Sequence, residues 1–114
     1  MSKIASRIKE LGIELPNAAS PAANYIPFVL SGNQVVISGQ IPFWNGELVG
    51  LGKLGSNLTV EEGGKIARIC GLNLLAQLQV ASGGDLDRVS RVVKLGGFVN
   101  CIDTFTDQPE VING

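Results

Sequence analysis

A chain of 114 residues with 45% hydrophobic and 17% charged side chains has the length of one domain and a composition that excludes disorder. Its formal charge of −1 comes from nine basic and ten acidic residues with no basic run. It therefore offers little of the clustered Lys and Arg that nucleic-acid phosphates require. A domain of this size buries about 65% of its unfolded surface, so low charge also favours covering more apolar area by association.

Residues 2–12 place Ile4, Ile8 and Leu11 at helical spacing, with Ser2 as N-cap and Gly12 as stop, and predict a short amphipathic helix. Residues 14–24, rich in Pro, Ala and Asn, predict a loop. Ile26–Leu30 and Gln34–Ser38 flank a Gly-Asn turn and predict a hairpin. The consecutive apolar run Val35-Val36-Ile37 predicts a strand covered on both faces. Asn45-Gly46 predicts a second hairpin over residues 43–49, and the glycine-rich stretch to Asn57 predicts an irregular connection.

Thr59-Val60-Glu61-Glu62 is a capping-box sequence opening a helix that runs to about Ala81. Ile66, Ile69, Cys70, Asn73, Leu74, Gln77 and Leu78 share one side of it. Leu72, Leu75 and Ala76 widen that side, so burial on more than one side is expected. Ser82-Gly83-Gly84 ends the helix, and residues 85–88 form a turn. Residues 89–102 predict a long strand bulged at Gly96-Gly97, with Val92, Leu95, Phe98 and Val99 feeding the core. Asp107 or Thr106 then caps a helix with Pro109 and Glu110 in its first turn. Only about one turn of it precedes Gly114, against the 10–14 residues usual for a helix. The fold is therefore expected to be completed by polypeptide beyond Gly114, whether a remainder, a nicked fragment or a partner. Without it, the Val92–Val99 face would be exposed. The order of elements predicts an α+β domain with helices on one sheet face.

With no histidine, the chain has no Ser-His or Cys-His dyad and little zinc chemistry, and no metal or cofactor is expected. Cys70 and Cys101 both lie in apolar stretches, fit buried thiols and make no disulfide framework. The first segment carries Lys3, Arg7, Lys9 and Glu10 in place of a secretory apolar core. No apolar run reaches the ~20 residues of a membrane span, so a cytoplasmic location is expected.

Ile37-Ser38-Gly39-Gln40-Ile41-Pro42 resembles the strand-end motif of the Rid family, also called the YjgF or endoribonuclease L-PSP family. Tyr25 lies upstream of it; a long helix, the Gly83–Val89 turn, and the stretch from Phe98 to Asn113 follow in the family's order. The likeness covers residues 22–114, and the amino-terminal helix is similar to that of a subgroup. One domain over 1–114 is expected, with residues 1–24 as a leading helix and loop and 25–114 as an incomplete family core.

The resemblance implies a chorismate-mutase-like fold, a mixed sheet with helices on one face. It also implies a homotrimer whose sheets close into a barrel with ligand clefts between subunits. It implies deamination of 2-imino acids to 2-oxo acids and ammonia, chemistry that needs a held carboxylate and a positioned water rather than a histidine. By resemblance Tyr25 lines the cleft, Ser38 and the Gly39 N–H contact substrate, and Asn113 borders the site. The family's arginine and glutamate belong to strands after the last helix, beyond Gly114, so the catalytic residues are not assigned. Plainer readings stand beside these: Tyr25 as a half-buried aromatic, Ser38-Gly39 as a strand-ending turn, Asn113 as a surface helix residue. A non-catalytic metabolite-binding trimer is the alternative function, and ribonuclease action the third.

Overall fold

The computed structural model describes residues 2–20 and 23–114. Met1, and Pro21 and Ala22 of the expected loop, lie outside the described residues. The first helix, α1, spans Lys3–Glu10, and the Ser2 side chain accepts the N–H of Ala5 at its start. Its end is a Schellman motif: Gly12 takes a φ of 66°, and the Gly12 and Ile13 amides donate back to Lys9 and Ile8. None of its residues is buried. The helix is moored instead at its amino end, where the Asp87 carboxylate accepts the N–H groups of Lys3 (2.8 Å) and Ile4 (2.9 Å). The bond from Ile4, and then that from Lys3, hold the Asp87 carboxyl below its ordinary value.

Strands β1 (Phe28–Ser31) and β2 (Gln34–Ile37) pair antiparallel, with Val29 opposite Val36 and Phe28 opposite Ile37. Gly32 opens the two-residue turn with a φ of 57°, a conformation that favours glycine. Strands β3 (Phe43–Trp44) and β4 (Glu47–Leu48) form the second hairpin. Asn45 and Gly46 both have positive φ, 50° and 92°, as the type I′ turn demands.

Helix α2 (Val60–Ala81) begins at the expected capping box: the Glu62 N–H donates to Thr59 Oγ1, and the Thr59 N–H to Glu62 Oε1. A second Schellman motif closes it, with Gly84 donating to Gln79 and Gly83 to Val80. Gly63, Asn73, Ala76 and Gln77 are buried on it, and it packs against β1, β2, β3 and α3. After a 3₁₀ turn at Leu86–Arg88 comes α3, Gln108–Ile112, preceded by Asp107 without a side-chain cap bond. Leu54, Gly63 and Val111 are mutually close and buried: a Cβ placed on Gly63 would stand 2.8 Å from Leu54 and 3.3 Å from Val111. Leu54 also forms a parallel bridge with Cys101, through Leu54 N–H to Asn100 O and Ile102 N–H to Leu54 O. Antiparallel hairpins and a parallel bridge thus coexist, and the long helix covers one face of the first hairpin.

Two expectations fail within the chain. Val36 is 58% exposed, so β2 is shielded on the α2 side alone. Residues 89–100 carry no strand pairing, and Val92, Leu95 and Phe98 are exposed rather than core, Phe98 fully so; Val99 is partly shielded. The physical reason is common to both. A strand needs a neighbour to satisfy its N–H and C=O groups and a facing layer to bury its side chains. Among the described residues no strand pairs with residues 89–99, and no layer faces the outer side of β1 and β2.

Candidate functional site

The end of β2 and the loop before β1 meet in a small cleft lined by Ala19, Ser20, Tyr25, Pro27, Gly39, Gln40, Ile41 and Phe43. Tyr25 and Gly39 therefore line one small cleft, with about 10 Å³ of open volume between its walls, room for about one water. Nothing lies within 4 Å of where a Cβ on Gly39 would sit, and the Gly39 N–H makes no hydrogen bond among the described residues. Gly39 is exposed, and its amide is a donor without a protein acceptor among the described residues.

Ser38 stands next to this wall with its own hydrogens engaged. Its hydroxyl donates to the Ile26 carbonyl and its N–H to Pro27 O, locking the strand end across the hairpin. Its hydroxyl oxygen keeps accepting capacity. The Gln40 side chain caps the same turn by donating to Ser38 O at 3.0 Å. Asn113 lies elsewhere: it is the exposed C-cap of α3, and α3 sits on the first turns of α2 near Gly63 and Gly64. The nine residues from Gly64 to Asn73 rise roughly 14 Å along α2, so one chain does not bring Asn113 to Tyr25 and Gly39.

Two buried amides of α2 stand behind the cleft, residues placed on the apolar side of the helix by sequence but given no role there. Asn73 is 1% exposed and its Nδ2 donates to Phe43 O (2.6 Å) and Ile69 O (3.1 Å), with Ile41 O at 3.5 Å. Gln77, 2% exposed, donates from Nε2 to Ala19 O at 2.7 Å. The signal that finds them is chemical: two carboxamides four residues apart in an otherwise apolar stripe. The Ala19-Ser20 wall had no such signal, because it comes from a loop.

The cleft lining holds no carboxylate, no amine and no guanidinium. No group of three or more metal-ligating side chains exists among the described residues. Both cysteines are free and partly shielded; burial raises the Cys70 thiol, and Cys101 Sγ lies 3.6 Å from Gln108 Nε2. Neither lines the cleft. No helix among the described residues is long and apolar enough to cross a membrane.

A family profile described as "YjgF/chorismate mutase-like, putative endoribonuclease" matches residues 5–114. The chain belongs to this family. Protein TCP17 of Trypanosoma cruzi is 49% identical over 112 residues, which are 98% of this chain and 69% of that protein. The crystal structure of Atu1372, a protein of unknown function from Agrobacterium tumefaciens, is 42% identical with a TM-score of 0.85, covering 96% of this chain and 67% of that one. A "putative endoribonuclease" from Shewanella oneidensis superposes with a TM-score of 0.92 at 35% identity, covering 98% and 74%. The fold of this YjgF-family chain is thus chorismate-mutase-like, and the chain spans about two thirds to three quarters of the length of these relatives.

Proposed function

We propose that this YjgF-family protein hydrolyses 2-imino acids, the unstable products of amino-acid dehydration, to 2-oxo acids and ammonia. The observation that carries the reading is that Gly39, whose N–H has no acceptor among the described residues, lines the same cleft as Tyr25. The cleft itself has room for about one water, so the reading places the substrate carboxylate across its mouth, beside the Tyr25 ring and the Gly39 backbone. In the reaction, the oxygen of water bonds to the electrophilic imine carbon and its proton passes to nitrogen. The hydroxyl proton of the resulting carbinolamine then passes to nitrogen as the C–N bond breaks, so ammonia leaves as the carbonyl forms. The cleft's contribution is to hold the acid and orient the water, which lowers the barrier through positioning.

The charged groups for this step are not among the lining residues. By resemblance, the arginine that clamps the carboxylate and the glutamate that orients water belong to strands after the last helix, at positions following Gly114. The reading also includes assembly as a homotrimer, with each cleft shared between copies. Supporting it are the outward-facing Val29 and Val36 and the distance between Asn113 and Tyr25. A neighbouring copy would bring Asn113 to the cleft that its own chain does not.

The uncharged lining favours a second reading, a trimer that binds a small metabolite without turnover. The test that separates them uses the full-length protein with 2-iminobutanoate made in place by a threonine dehydratase, semicarbazide trapping the imine that escapes. Accelerated loss of the trapped product is expected. Binding of 2-oxobutanoate with no acceleration would leave the binding module standing alone. Salt-sensitive binding and cleavage of RNA would replace both.

A further inference from the structure

We infer that Asn73 and Gln77 are positioning residues that set the separation of the two walls of the cleft, an inference resting on the reading of that cleft as the binding site. One wall is the Gly39-Gln40-Ile41 turn running into Phe43; the other is the Ala19-Ser20 loop leading towards Tyr25. The walls belong to segments with little secondary structure to place them. Asn73 grips the first through Phe43 O at 2.6 Å, and Gln77 grips the second through Ala19 O at 2.7 Å. One helical turn separates the two amides, so α2 acts as a ruler between two segments that have no ladder of their own.

Core filling alone does not account for the choice. Leu or Met would occupy similar volume on this apolar stripe without polar atoms to desolvate. The native arrangement even leaves Asn73 Oδ1 buried with no partner. Turning the amide over would set that oxygen against the carbonyls of Phe43 and Ile69, so the orphaned atom follows from aiming the nitrogen at the wall. An amide kept in that orientation, with one oxygen unsatisfied, fits a demand for placement.

The experiment uses the full-length protein and three variants: Asn73→Leu, Gln77→Met, and the control Ala76→Gly, which loosens the same buried helix at a side chain that can hydrogen-bond neither wall. Within these 114 residues Trp44, beside Phe43, is the single Trp and Tyr25 the single Tyr, so near-ultraviolet circular dichroism differences against Trp44→Phe and Tyr25→Phe isolate the bands that report the two walls with no ligand present. Expected are loss of the Trp44 band in Asn73→Leu, loss of the Tyr25 band in Gln77→Met, and both bands kept in Ala76→Gly. In calorimetric titration with 2-oxobutanoate, the dissociation constant should rise about tenfold in each amide variant, the equivalent of one lost hydrogen bond, with the helical far-ultraviolet signal retained. Wild-type bands and affinity in both amide variants would overturn the inference. Changed bands in a protein whose wild type binds no 2-oxobutanoate would uphold the ruler and sink the functional reading instead. Should Asn73→Leu not fold, the Tyr25 band of the shape-conserving Gln77→Met decides.

Discussion

Asp87 shows how much one side chain can organise when burial offers little. It joins α1 to the 3₁₀ turn through two backbone amides, and α1 has no buried residue to hold it otherwise. A carboxyl whose folded value lies below its unfolded one contributes stability above the unfolded value, and that contribution disappears as the pH falls through the folded value. The docking of α1 is therefore full above about pH 4, near the ordinary Asp value of 3.8, and is lost in stronger acid. The Lys3 and Ile4 amide proton resonances should move together on acidification, with a midpoint below 3.8. A midpoint at or above that value would contradict the mooring. Asp87→Asn should abolish the transition and leave α1 weakly held at neutral pH. Nothing in the sequence pairs position 87 with positions 3 and 4, since the contact bridges distant segments.

Elements with local causes were legible before their surroundings were. The capping box at Thr59, the glycine stops at Gly12 and Gly83-Gly84, and the Asn45-Gly46 turn all act within five residues, and each forms as its chemistry dictates. The apolar run over residues 89–102 reads as a strand, but a strand also depends on a neighbour that the run itself does not contain, and only Cys101 within it forms a bridge. The same limit applies to the site. Ser38-Gly39 could be placed at a strand end, whereas the Ala19-Ser20 wall and the amide grip from α2 depend on tertiary folding. Between elements, Gly63 decides how closely α3 and the Leu54 segment approach α2. In Gly63→Leu, the helix-propensity gain of about 1 kcal/mol is opposed by overpacking against Leu54 and Val111 and by displacement of α3. The larger effect should win, with a net loss of about 2 kcal/mol in urea unfolding. An unchanged or raised midpoint would show that α3 yields at no cost.

For the whole molecule, the outer face of the first hairpin and the run from Val92 to Phe98 leave much apolar surface open. Chains of this size seldom keep such patches bare in water. Sedimentation equilibrium of the full-length protein should give a trimer at micromolar concentration, and Val36→Asp, which sets a charge on the open face opposite Val29, should shift it to monomer. A monomeric wild type would refute shared clefts.

The bridge at Leu54 has a kinetic consequence. Both hairpins close over two-residue turns and α2 is held by its own ladder, so these pieces assemble from neighbours in the chain. Leu54 and Cys101 stand 101 − 54 = 47 positions apart, and drawing them together costs loop entropy that local pairings do not. Their rung therefore closes at a higher entropic cost than either hairpin, and α2, which lies between them in the chain, shortens the route that must be closed.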